Sequence, residues 1–412
     1  MPDYSLPSLS TQITSDLCIK CNICTSACPV AAVTDLFPGP KAVGPQAQRF
    51  RHPRLPSPDQ SLDYCSGCGV CSLVCPHGVQ IAEMNAIARA EIVRRDGLTL
   101  RNWLVGRSEL LGKLGSPFAP LANIPLKLKP LRFIIEKVLG IDRRARFPEF
   151  AWETFRAWFK KSAAVKRTMG TRKVAFFHGC ASNYYEPRVA KAAIEVFERN
   201  QIKVALPEQN CCGLPMQSNG DFASARAYAR NNVRKLAAWV REGYDIVGTS
   251  TSCTLAIKHE YHAVLGLDDP DLELVASHTH DIFEYLAMLD DRSLLNTRFV
   301  KRAEKVVYHA PCQQRTHGFG RPAADFMRRF GFTVIESQAD CCGVAGTYGL
   351  KREKYDIAAA VGKPLFEQIA DENPNRVVCD SETCRWWIES HTGKRAVHPI
   401  EVMAEAYRGR RQ

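Results

Sequence analysis

Eight of the 17 cysteines in this 412-residue chain stand in two runs of identical spacing. Cys18-x2-Cys21-x2-Cys24-x3-Cys28-Pro29 is followed by Cys65-x2-Cys68-x2-Cys71-x3-Cys75-Pro76. Three thiolates so close together can ligate three irons of one cubane, while the fourth, before proline, reaches across to the other. On that rule one [4Fe–4S] cluster takes Cys18, Cys21, Cys24 and Cys75, and a second takes Cys65, Cys68, Cys71 and Cys28. Paired CxxC units also make four-cysteine zinc sites, but zinc wants two pairs and would strand four thiols here. One-electron transfer is the chemistry expected.

The other nine cysteines lie between Cys180 and Cys384 and form an internal duplication. Cys180 to Cys312 is 132 residues, Cys211 to Cys341 is 130, and Cys253 to Cys384 is 131. His178-Gly179-Cys180 answers His309-Ala310-Pro311-Cys312, and Cys211-Cys212-Gly213 answers Cys341-Cys342-Gly343. A buried free thiol is the bland reading of a lone cysteine, and it fails because one pattern occurs twice. Adjacent cysteines suit two irons of one cluster better than a single metal ion. The metal-binding candidates are Cys180, Cys211, Cys212 and Cys253 in the first copy. In the second they are Cys312, Cys341, Cys342 and Cys384, with Cys379 nearby as a fifth thiol. Each copy is compatible with a further iron–sulfur cluster, with zinc, or with no stable metal. A packing or hydrogen-bonding role is expected for His178 and His309, although histidine can replace cysteine at a cluster. His259-x2-His262 and His278-x-His280 read as surface residues.

The elements that must position these thiols follow from apolar patterning. Each copy shows a short β-run before its first Cys (Val174 to Phe177; Val306 to Tyr308). A second β-run (Ile202 to Leu206; Phe332 to Ile335) precedes the Cys-Cys-Gly turn, and a third (Ile246 to Thr249; Arg376 to Cys379) precedes the last Cys. Helical stretches intervene (Asp221 to Arg241; Lys351 to Ala370, interrupted at Pro364). Strand alternating with helix predicts a parallel α/β layer, with its cysteines at the strand C-terminal ends, where open sheets place their sites. The 36 residues between Cys28 and Cys65 leave room for helices, and Ile81 to Arg95 reads as one. The fold class expected is an α-helical two-cluster ferredoxin domain plus duplicated α/β Cys-Cys-Gly domains. The parts expected are 1–93 (ferredoxin), 94–172 (connector), 173–300 (first repeat) and 301–412 (second repeat).

Charge is concentrated in the connector. Arg94 to Arg172 holds 18 Lys+Arg against 6 Asp+Glu, a balance equal to the +12 of the whole chain. Leu98 to Lys161 interleaves these bases with Trp103, Leu110, Phe118, Phe133, Ile134, Trp152 and other large apolar residues. That mixture fits helices lying in the headgroup plane of an anionic membrane. The competing readings are apolar residues docked on the flanking domains, or nucleic acid; nucleic acid is not expected. Arg143, Arg144, Arg146, Lys127 and Lys129 are the bases expected to carry the electrostatic part. No apolar stretch is long enough to cross a bilayer. Met1 to Leu17 lacks the basic start of a secretory leader, so a reducing cytoplasmic setting is expected.

No G-x-G-x-x-G follows a β-run and no P-loop is present, nor does any Ser/His/Asp or paired-carboxylate set stand out. Clusters without a hydride acceptor suggest a conduit fed by a partner. The order of parts, a double CxxCxxCxxxCP followed by two Cys-Cys-Gly repeats, resembles a family of electron-transfer subunits. It includes glycolate oxidase iron–sulfur subunits, lactate-utilisation proteins, and heterodisulfide reductase subunits. The strongest resemblance is to the C subunits of anaerobic glycerol-3-phosphate dehydrogenases. It rests on Cys18-Ile19-Lys20-Cys21, Phe37-Pro38-Gly39-Pro40-Lys41-x2-Gly44-Pro45, Ser116-Pro117-Phe118-Ala119-Pro120, Phe176-Phe177-His178-Gly179-Cys180, Ala345-Gly346-Thr347-Tyr348-Gly349 and His398-Pro399-Ile400. The resemblance implies flavin-containing dehydrogenase partners, a peripheral place on the inner face of the cell membrane, and delivery of electrons to the quinone pool. A glycolate or lactate complex, or a reductase that cleaves disulfides at a Cys-Cys-Gly cluster, is the alternative. The related repeats usually end in Cys-x2-Cys, whereas here Ser250-Thr251-Ser252-Cys253 and Ser381-Glu382-Thr383-Cys384 each lack one thiol.

Overall fold

A computed structural model describes residues 14–52, 55–162 and 170–408. Most of Met1 to Leu17, read above for a leader, and Lys166 and Arg167 of the connector lie outside these residues.

The cysteine runs of the N-terminal part each open a one-turn helix, α1 (Ile23–Ser26) and α2 (Val70–Leu73). Between them run helical turns at Ala42–Gln46 and Ser61–Tyr64. Helix α3 (Ile81–Asp96) closes the part, burying Ile81, Met84 and Ala88 against the cysteine loops and Ile87 against the first repeat. Gly97 ends it with a positive φ, the usual helix stop. The connector is a chain of short helices: α4 (Leu100–Val105), α5 (Ser108–Gly115), α6 (Ala119–Lys127), α7 (Lys129–Leu139) and α8 (Phe155–Lys161). Thr99 and Thr154 cap α4 and α8 through their hydroxyls, each satisfying an otherwise orphaned N–H.

Each repeat builds a four-stranded, all-parallel sheet with one topology. The first has order β2-β1-β3-β4, from β1 (Arg172–Phe177), β2 (Ile202–Ala205), β3 (Asp245–Gly248) and β4 (Thr279–Asp281). The second has order β6-β5-β7-β8, from β5 (Lys305–His309), β6 (Thr333–Glu336), β7 (Arg376–Cys379) and β8 (Ala396–Val397). The central strands β1 and β5 are apolar because both faces are covered. Strands β4 and β8, absent from the sequence reading, are edges of three and two residues.

The repeats share one core. Phe176 and Phe197 of the first repeat belong to the same buried cluster as Phe326, Phe330, Val402 and Met403 of the second. Across that junction Arg385 is salt-bridged to Glu186, both buried, and His398 Nε2 meets the Thr249 carbonyl at 2.9 Å. In the second repeat α9 (Tyr355–Glu372) runs unbroken through Pro364, contrary to the expected interruption. Leu365 and Ile369, fully buried just beyond the proline, hold the helix where one backbone hydrogen bond is lost.

The connector is not a free linker. Phe155 and Phe159 are buried in the shared core, and the Arg132 guanidinium, also buried, donates to the Asp142 and Ala145 carbonyls at 2.7 and 2.6 Å. Arg107 pairs with Asp221, Arg101 with Glu353, and Arg144 with Asp142 and Asp356. Part of the +12 is therefore used in docking. The opposite surface stays apolar: Phe118, Leu121, Ile134 and Val138 are 54–74% exposed, with exposed Lys113, Lys127, Lys129 and Lys137 among them. No helix among the described residues is long and apolar enough to cross a membrane.

Candidate metal centres

The two N-terminal cysteine runs bend alike. Lys20 and Asn22 in the first, and Gly67 and Gly69 in the second, all have left-handed φ between 65° and 80°. Two such residues on either side of the second cysteine curl the backbone around its thiols. One cavity is lined by Cys18, Cys21, Cys24 and Cys75, with Ile19, Ile23 and Ile81. Another is lined by Cys28, Cys65, Cys68 and Cys71. Each cavity thus takes three thiols from one run and the proline-flanked thiol of the other. Burial pushes the Cys24, Cys28 and Cys71 thiols up, so a buried thiolate here needs a cation beside it. The donor chemistry fits an iron–sulfur cluster in each cavity.

The cavities differ in setting. Cys21 is exposed, with Ile19 and Ile23 exposed beside it. The second set faces inward. Asn85 Nδ2 lies 3.7 Å from Cys65 Sγ, and Arg89 donates to the Leu62 and Cys65 carbonyls and to the Ser218 carbonyl of the first repeat. Cys28 and Cys65 share a buried cluster with Cys341 and Cys312 of the second repeat. Lys354, 1% exposed, fixes this junction through the Asp63 carboxylate at 2.5 Å and the Asp63 carbonyl at 2.6 Å.

In the first repeat Cys180 Sγ lies 3.8 Å from Cys211 Sγ, and Tyr261 donates to the Cys212 carbonyl at 2.9 Å. The Cys211 N–H donates at 2.7 Å to Glu109, a buried connector carboxylate that also holds Lys113 at 2.6 Å. In the second repeat Cys342 Sγ lies 2.8 Å from Cys384 Sγ, and the Gly343 N–H points at Cys341 Sγ at 3.3 Å. Hydrogen bonds from neighbouring thiols hold Cys211 and Cys341 well below the usual thiol range. Their partners Cys180 and Cys312 are held well above it by the same bonds. The nine thiols are placed as two tight groups at the C-terminal ends of the sheets. Of the histidines read as surface residues, only His262 is exposed; His280 sits on β4, 3.8 Å from Glu284.

All these groups but the outer ferredoxin set open onto one central cavity of about 430 Å³. Its wall carries Cys68, the four thiols of the first repeat, and Cys312, Cys341, Cys342 and Cys384 of the second. Cys379 does not reach it. The far wall is made by the connector, with Leu111, Leu126, Ile135 and Leu139. Sequence reasoning missed this role of the connector, and missed Glu109 and Lys354. The available signal was Glu109 standing as the one acidic residue between Gly97 and Ile135 of a basic amphipathic stretch.

A profile described as a 4Fe-4S dicluster domain matches residues 14–79, and one described as a cysteine-rich domain matches 174–258 and again 306–389. The chain therefore carries iron–sulfur chemistry in its N-terminal part and a duplicated cysteine-rich domain behind it. The glycolate oxidase iron–sulfur subunit of Escherichia coli (strain K12) is 26% identical over 94% of this chain and 93% of its own length. The D subunit of the dihydromethanophenazine:CoB–CoM heterodisulfide reductase of Methanosarcina barkeri is 23% identical over 87% and 84%. The C subunit of the anaerobic glycerol-3-phosphate dehydrogenase of Escherichia coli (strain K12) is 38% identical over 395 residues, 94% of this chain and 98% of that one. An identity of that level over nearly both whole chains places this protein in the family of the anaerobic glycerol-3-phosphate dehydrogenase C subunits.

Proposed function

We propose that this chain relays electrons from a flavin-bearing glycerol-3-phosphate dehydrogenase partner to quinone at the inner face of the cell membrane. The supporting observation is the partition of the eight ferredoxin cysteines around two cavities, the outer at the surface and the inner at the shared chamber. In this reading Cys18, Cys21, Cys24 and Cys75 hold one [4Fe–4S] cluster, and Cys65, Cys68, Cys71 and Cys28 hold the second, in a ferredoxin part of the α-helical type. The parts are 1–93, 94–172, 173–300 and 301–412. When bound, such clusters supply one-electron transfer. The chain sets its order: exposed Cys21, flanked by Ile19 and Ile23, forms the face for the flavin partner, and Cys68 turns the second set toward the thiols of both repeats. The exposed apolar face of α6 and α7, with exposed Lys129 and Lys137 on the same segment, supports seating on an anionic bilayer. The same two helices line the chamber with Leu126, Ile135 and Leu139, which suits a lipid-soluble acceptor.

Co-purification from an anaerobic culture tests the partnership. A tagged chain that brings down a flavoprotein whose flavin is reduced by glycerol 3-phosphate, and not by glycolate or lactate, supports the assignment. A flavoprotein reduced only by glycolate or lactate overturns the substrate.

A further inference from the structure

The two repeats are unequal in one residue that their sequences share. His178 and His309 occupy matching places at the ends of β1 and β5. In the first repeat both ring nitrogens are engaged: Nδ1 meets the Gly179 carbonyl at 2.6 Å, and Nε2 lies 3.3 Å from Arg156 Nη1. A guanidinium reaching from the connector thus occupies the only ring nitrogen that could face a metal, and it would repel a cation.

His309 has no such neighbour. It is fully buried. Its Nδ1 lies 3.2 Å from Ser337 Oγ, while the buried Nε2 makes no well-directed hydrogen bond among the described residues, and the Cys384 thiol lies beside the ring. A buried ring nitrogen without a well-directed partner carries a desolvation cost that a ligand removes. The candidate ligand atoms of His309, Cys342 and Cys384 all lie within 4.8 Å of one another. Strand register sets His309 of β5 directly opposite Cys379 of β7, so a fourth donor ends the next strand. An imidazole with one nitrogen on metal and the other fixed by a hydroxyl is the arrangement that locks ring orientation at metal sites.

We propose that the second repeat holds an iron–sulfur centre in which His309 Nε2 is a ligand beside the thiolates of Cys342 and Cys384, supplying the donor lost at Ser381. The first repeat, with His178 turned to Arg156, offers thiolates alone. One imidazole in place of a thiolate removes a negative charge from the ligand set, which raises the potential of a centre. The proposal rests on the reading that the chain carries iron–sulfur clusters, and the ferredoxin pair serves as its internal control.

The test is pulsed electron paramagnetic resonance on the full chain, purified anaerobically and labelled with ¹⁵N-histidine. The expected result is a strong nitrogen coupling that changes with the isotope and disappears in His309→Cys, a variant that keeps a metal donor. It persists in His178→Gln. The His309→Ala variant should lose iron relative to wild type while the two ferredoxin signals stay. Four results overturn the proposal while those signals are present: no nitrogen coupling, only the weak coupling of a hydrogen bond, equal iron in His309→Ala, or zinc in place of iron at this site. Absence of the ferredoxin signals themselves refutes instead the reading beneath it.

Discussion

Replacing Gly343 and Gly213 by alanine, one at a time, asks whether the Cys-Cys-Gly turns are held by backbone conformation or by close packing. Both glycines have left-handed φ, +94° and +89°, where a side chain costs about 1–2 kcal/mol. They differ in what a Cβ meets. At Gly343 it would lie 2.0 Å from the Ala358 carbonyl oxygen and 2.9 Å from the Gly362 nitrogen of α9, both backbone atoms with no rotamer to move. Overpacking of that kind adds about 1–3 kcal/mol. At Gly213 the nearest atom is the Ala225 carbonyl oxygen at 3.3 Å, which a small shift accommodates. Gly343→Ala should therefore cost roughly 2–5 kcal/mol and Gly213→Ala about 1–2 kcal/mol. At roughly 2–4 °C per kcal/mol for domains of this size, the apparent melting temperatures should fall by about 4–20 °C and 2–8 °C. The assay is anaerobic thermal unfolding at one scan rate, with bound iron measured on the same samples. An equal or larger loss in Gly213→Ala would refute the reasoning, because contact with α9 is the only difference invoked.

Arg385→Met should destabilise the chain by about 3–5 kcal/mol, since it leaves Glu186 buried without that partner; adding Glu186→Gln should recover part of the loss in the same melt. Burial, aided by Glu83, raises the Glu260 carboxyl to about 7. The unfolded chain releases this proton near 4.5 and the folded chain near 7, so stability falls as pH rises through that window. Glu260→Gln, still able to accept from Gln217, should raise the melting temperature more at pH 8 than at pH 5. Leu121→Gln with Val138→Gln should weaken flotation with anionic liposomes more than Arg144→Gln, whose guanidinium is already paired to Asp142 and Asp356. Equal weakening would shift the weight from apolar insertion to charge. Cys75→Ser should remove the surface cluster signal and leave the inner one, whereas loss of the inner signal alone would break the cross-run ligand set.

The central strands and the duplication were legible because β1, β3, β5 and β7 are runs of apolar residues between cysteines at one period. Strands β4 and β8 were not, since Thr279-His280-Asp281 is a polar edge and Ala396-Val397 is too short to show a period. Spacing carried the four-and-four division of the ferredoxin thiols, a local property of two runs. Convergence of the inner set with both repeats on one chamber depends on Lys354, Arg89 and Glu109, each contacting residues far away in sequence. The connector illustrates the limit most clearly. Its composition announced apolar and basic faces, but not that Arg107 and Arg132 would be used internally while Leu121 and Val138 face outward. His178 and His309 read alike for the same reason: only the fold brings Arg156 to one of them.

Electron relay through bound clusters is tested most directly by the metal content and redox behaviour of the chain purified without oxygen. Reduced full-length protein should contain at least about eight irons per chain, show two interacting [4Fe–4S] signals, and lose both on adding a soluble naphthoquinone. Zinc without iron, or reduced clusters that a quinone fails to oxidise, would contradict it.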